Sequence, residues 1–142
     1  MTAFTSVAYM SSILSTLVLD ERLRRRRFYC AFLMFAAILV MGSIPGARAE
    51  IGQFGSGVVL HSIAYGSLTF LLYTGTTGSR GQRAARAVLM VAVMGALDEM
   101  VQSFLPYRSG SPGDWLIDCI ASLVTAALLW RFMPEPVQAR QP

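Results

Sequence analysis

The chain contains no lysine, one histidine and two cysteines, and only 14% of its 142 residues are charged, against roughly 25% in an average soluble domain. Two cysteines exclude a disulfide-stapled secreted scaffold. A hydrophobic share of 54% excludes a disordered tail, and the length excludes a large multidomain enzyme. All basic residues are arginine, and twelve of them against eight acids leave a formal net charge of +4. With order ignored, a sequence pI near 9.6 suggests a nucleic-acid binder. Order reverses that reading. Mean hydropathy is +0.52, and the apolar residues fall in long uncharged blocks, as a bilayer requires.

A hydrocarbon core of roughly 30 Å is crossed by about 20 helical residues. Four stretches qualify: residues 28–44 (FYCAFLMFAAILVMGSI), 54 or 58 to 73, 87–105 (AVLMVAVMGALDEMVQSFL) and 115–133 (WLIDCIASLVTAALLWRFM). Pro45, Pro106 and Pro134 close the first, third and fourth. The expected fold is all-α, a polytopic four-transmembrane-helix bundle with short loops. Residues 1–27 form a leader ending in an arginine run, 28–133 the membrane domain and 134–142 a short tail.

Orientation follows from the arginines. Arg22, Arg24, Arg25, Arg26 and Arg27 precede the first span, Arg80, Arg83 and Arg86 lie between the second and third, and Arg131 and Arg140 end or follow the fourth. Only Arg48 and Arg108 occupy the other two connections. Both termini are therefore expected in the cytoplasm. The run at 22–27 could also bind RNA or act as a localisation signal, but its abutment on an apolar span favours the topological role, with attraction to anionic lipid as a minor addition. Ala47-Arg48-Ala49 resembles a signal-peptide cleavage site, yet the apolar stretch before it is long for a signal. The first nineteen residues leave open an interfacial helix, a frayed leader or a start at Met10. Cys30 and Cys119 are expected about a bilayer thickness apart, beyond disulfide reach.

Ionisable residues inside a membrane are functional candidates by default. His61 and Tyr65 lie early in the second span, Asp98, Glu99 and Gln102 late in the third, and Asp114 and Asp118 at the start of the fourth. Three helices thus bring polar groups to a similar depth in the outer half of the membrane. At about 100° per residue, the third span presents Ala92, Gly95, Ala96, Glu99, Gln102 and Ser103 opposite Met90, Met94, Leu97 and Val101, with Asp98 on the flank. The fourth groups Asp114, Asp118, Ala121, Ser122 and Thr125. Small and polar faces turn inward in membrane bundles, which predicts a polar cavity open to the outer surface. Four acids face Arg108 and His61, so Glu99 is expected to pair with Arg108 or to hold a proton, or a bound cation or cationic ligand group settles the balance. Residues 107–114, rich in Ser, Gly and Pro, form a lid.

Asp98-Glu99-Met100-Val101-Gln102, then Pro106, Arg108, Ser109 and Gly110, then Asp114-Trp115-Leu116-Ile117-Asp118, resembles the signature of VanZ-like membrane proteins. Ser43-Ile44-Pro45-Gly46 and His61-Ser62-Ile63-Ala64-Tyr65 resemble the same family's end of the first span and start of the second. The likeness covers residues 28–131. It departs at Asp118, where the family usually shows Asn or sometimes Asp, and at Ala121, where Gly is common. The resemblance implies a small bacterial envelope protein related to an accessory factor in resistance to the glycopeptide antibiotic teicoplanin, and it argues against cleavage after Ala49.

Three functions follow. The first is binding, without catalysis, of membrane lipids, a lipid-linked cell-wall precursor or a glycopeptide antibiotic in the outer cavity. The second is intramembrane acid/base catalysis by Glu99 and His61 on a lipid-like substrate. The third is a buried hydrogen-bond network that locks the helices, although a lock rarely requires four acids. One histidine and scattered acids make a weak zinc set, so neither metal nor cofactor is expected, and no nucleic-acid partner is. A proton or solute pathway is disfavoured because Met, Val and Leu fill the inner half of the third span.

Overall fold

In a computed structural model, residues 20–47, 50, 52 and 55–133 are described; the leader 1–19 and the tail 134–142 lie outside them. Four helices follow one another: α1 (Glu21–Ser43), α2 (Gly57–Gly75), α3 (Arg80–Ser103) and α4 (Pro112–Phe132). No strand occurs among the described residues. Each start carries an oxygen that accepts an otherwise unpaired backbone N–H: Asp20 from Arg22, Ser56 from Val59, Ser79 from Gln82 and Ser111 from Asp114. Gln82 returns the bond to Ser79 N–H, completing a capping box, and Pro112 opens α4 where no amide donor is needed. Ile44, forced extended by the following Pro45, stops α1. The arginine run is helical: α1 begins about two turns before its apolar stretch.

Helices α1, α2 and α4 are long and apolar enough to cross a membrane, which marks an integral membrane protein. Helix α3 has 24 residues but carries Arg80, Arg83, Arg86, Asp98 and Glu99, and does not qualify on composition. Large apolar side chains nevertheless face outward on it, including Leu89, Val93, Leu97 and Met100.

Helices α2 and α3 form the middle of the bundle; α1 packs on one side of them and α4 on the other. Leu68, Leu72, Tyr73, Ala87, Val91 and Met94 fill the seam, joined by Ala31 of α1. From α4, Asp118, Ser122 and Ala126 turn inward, and Thr69 donates to the Ser122 hydroxyl at 2.9 Å. The α4 face matches the expected one. The α3 face matches in part: Gly95, Glu99 and Gln102 are buried as expected, but Ala87, Val91, Met94 and Asp98 are buried with them, whereas Ala96 and Ser103 are exposed. The inward stripe centres on Asp98 rather than beside it. Small residues alone misplaced the face, because Val91 and Met94 pack on the seam like any core residue.

At the arginine end, Arg27 reaches the Thr74 carbonyl at 3.1 and 3.2 Å, Arg83 reaches Tyr73 at 2.8 Å and Arg86 reaches Thr77 at 2.7 Å. Arg27 and Arg83 satisfy two of the last carbonyls of α2, Arg86 bonds the loop that follows, and all three oppose the negative end of the helix dipole. The arginines therefore hold the fold at this end. Helices α1 and α2 touch closely there: a Cβ on Gly75 would sit 2.7 Å from the backbone nitrogen of Phe28.

Candidate functional site

At the opposite end, where the 104–111 loop joins α3 to α4, the polar side chains converge. Asp98, Glu99, Gln102 and Asp118 are all buried, and His61 is half-buried among them. His61 Nδ1 lies 2.8 Å from Asp118 Oδ1, while Nε2 lies 4.0 Å from Asp114 Oδ2. The Tyr65 hydroxyl donates to Asp98 at 2.9 Å, and its ring stacks on His61 with centroids 5.9 Å apart. All eight residues singled out from the sequence thus lie in this one region or on its loop.

Their pairing differs from the charge-based expectation. Arg108 donates to the side-chain oxygen of Gln102 rather than to Glu99. Glu99 accepts instead from the backbone N–H of Ser111 at 2.6 Å, so the carboxylate holds the loop through the main chain. The loop is further tied to α1, where the Tyr107 hydroxyl donates to the Ser43 carbonyl. The expected lid is present as a strap bonded to two helices. One oxygen on each of Asp98, Glu99 and Asp118, and Nε of Arg108, are buried without a hydrogen-bond partner among the described residues. Native interiors rarely leave such groups, and each costs about 1–3 kcal/mol.

A cavity of about 170 Å³ opens beside this cluster, between α1, α2 and α3. His61, Tyr65, Asp98, Gln102 and Arg108 give it a polar wall, and Ile38, Met41 and Leu60 an apolar one. The α1 wall, with Gly42 against Asp98 and Gln102, was missed because that helix carries no polar signal at this depth. Gly95 was noticed only as a small residue. Its role is closer approach: a Cβ there would lie 3.0 Å from Asp118 Oδ2 and 3.2 Å from the Trp115 ring. Trp115 donates its indole N–H to the Ala92 carbonyl at 3.0 Å. Compared with family models, curated proteins and solved structures, the chain gave no match.

Proposed function

We propose that the protein is a four-span, VanZ-like protein of the bacterial cytoplasmic membrane, with both termini in the cytoplasm, and that its cavity holds the polar headgroup of an envelope lipid or lipid-linked cell-wall precursor. The observation that carries this reading is the cavity's two-sided wall: the Asp98 carboxylate, an imidazole, a phenol, an amide and a guanidinium on one side, aliphatic side chains on the other. That is the chemistry of a lipid at the point where its head meets its chain. Helix α3 serves as the fourth span because Arg83, Asp98 and Glu99 turn into the bundle while its outer face is apolar. The arginine bias supports this orientation, in which the cavity lies in the outer half.

Size favours a small group: a recess of about 170 Å³ is well below drug-sized pockets and takes a headgroup fragment, with the rest of a larger molecule outside it. Any part in teicoplanin resistance would run through the lipid the protein holds. The buried unpaired oxygens weigh against a purely structural lock, which gains by satisfying every member. A second reading, acid/base turnover of such a lipid, draws on the His61–Asp118 pair, a base with an orienting carboxylate.

The test compares Glu99→Gln and Arg108→Ala with a deletion across teicoplanin and other envelope-active compounds, alongside lipid mass spectrometry of the detergent-purified protein. Variants that insert normally should reproduce the deletion's sensitivity and lose a lipid that copurifies with wild type. Wild-type behaviour of folded variants throughout the panel sinks the reading. Conversion of the lipid by wild type and not by His61→Gln would establish the enzymatic alternative.

A further inference from the structure

We propose that His61, Glu99 and Asp118 form a divalent-metal site. One helix supplies each ligand: α2 the imidazole, α3 and α4 the carboxylates. One ligand atom from each residue lies within 4.8 Å of the other two, a spread that the side chains would close to roughly 3.3–3.6 Å about a tetrahedral ion. Asp118 is fully buried and Glu99 is 8% exposed, and each keeps one oxygen with no hydrogen-bond partner among the described residues. His61 and the Ser111 N–H engage only the other oxygen of Asp118 and of Glu99, so an ion would complete both carboxylates. Arg108 does not supply it, since its bond goes to the neutral Gln102.

The surroundings of His61 fit the same assignment. A metal-bound histidine commonly directs its second ring nitrogen at a carboxylate, which fixes the ring and raises its basicity. With Nδ1 on the Asp118 side, Nε2 faces Asp114 at 4.0 Å. One nitrogen and two carboxylate oxygens suit a borderline ion such as Zn²⁺ or Mn²⁺ better than a soft one. Three protein ligands leave coordination positions open, the pattern of sites that bind an exchangeable ligand. His61 also lines the cavity, so the ion would sit behind the wall against which an anionic headgroup docks. The site itself stands whatever occupies that cavity.

The test uses the full chain purified in detergent, stripped with EDTA, reloaded with Zn²⁺ and desalted. Elemental analysis should find about one zinc per chain, and the unfolding midpoint should rise with zinc but not with Mg²⁺. Asp118→Asn should abolish both effects, whereas Asp114→Asn should keep the stoichiometry with affinity about 10- to 100-fold weaker. X-ray absorption on zinc-loaded wild type should show a single imidazole among oxygen ligands, a readout that needs no variant to fold. Wild type that retains no stoichiometric zinc, zinc retained equally by Asp118→Asn, or a spectrum without imidazole overturns the proposal. None of these outcomes depends on lipid binding or drug sensitivity.

Discussion

The Arg83 guanidinium lies over the Tyr73 ring, 4.6 Å from its centroid, while the same side chain donates to the Tyr73 carbonyl at 2.8 Å. One residue thus closes the end of α2 and covers the aromatic ring beside it. Arg83 is 3% exposed, so both interactions are shielded from water. Arg83→Lys keeps the charge but loses the planar fork, and should cost about 2–3 kcal/mol. The exposed Arg86, also bonded to a carbonyl, should cost less than about 1 kcal/mol as Arg86→Ala. Thermal unfolding in detergent measures both; equal small effects would remove Arg83 from the fold's framework.

Gly81 and Gly95 lie in the same helix but answer differently to a methyl group. Nothing stands within 4 Å of a Cβ on Gly81, so Gly81→Ala should gain up to about 1 kcal/mol from helix propensity. At Gly95 the methyl meets the Asp118 carboxylate and the Trp115 ring, and Gly95→Ala should forfeit that gain. Gly95→Leu should push α4 away at a cost of about 1–3 kcal/mol. Equal stabilisation by both alanines would show that α3 and α4 are not in close contact.

Tyr65→Phe removes the donor to buried Asp98 and should destabilise by about 1–3 kcal/mol. Combined with Asp98→Leu, the loss should be smaller than the sum of the single changes, with a coupling of about 0.5–3 kcal/mol. Strict additivity in a double-mutant cycle would mean that the bond contributes nothing.

How much of this was legible in the sequence depends on which physical signal each part leaves. Long apolar blocks and the prolines after them announced the helices, because hydropathy and backbone restriction act along the chain. His61, Glu99 and Asp118 stood out for a similar reason, being ionisable groups inside apolar runs. The inward face of α3 read correctly only in part, at Gly95, Glu99 and Gln102. In a membrane both the core and the outer surface are apolar, so Val91 and Met94 inside look no different from Leu97 and Met100 outside. Partner choice was equally hidden. Opposite charge suggested Glu99 with Arg108, yet the backbone amide of Ser111 claims the carboxylate, and no property of a serine side chain foretells that. The arginines were read as markers of side; their bonds to the carbonyls ending α2 depend on how α1 and α3 pass that terminus.

The orientation carries its own test. In a background with Cys30 and Cys119 replaced by alanine, a cysteine at Ser109 should react in intact cells with a membrane-impermeant maleimide. A cysteine at Gly81 should react only after permeabilisation. Both positions are exposed, so accessibility within the fold does not limit labelling. The opposite pattern would invert the topology, and labelling of both from outside would remove α3 as a span.

The pairing of His61 with Asp118 has a consequence for how the molecule is made. The partners are 57 positions apart, and Asp118 belongs to the last of the four helices to leave the ribosome. In the four-span reading proposed above, His61 and Glu99 enter the bilayer before α4 brings Asp118 to His61. Insertion of α4 would then complete the cluster, and a chain stalled before it would hold His61 in lipid without its partner.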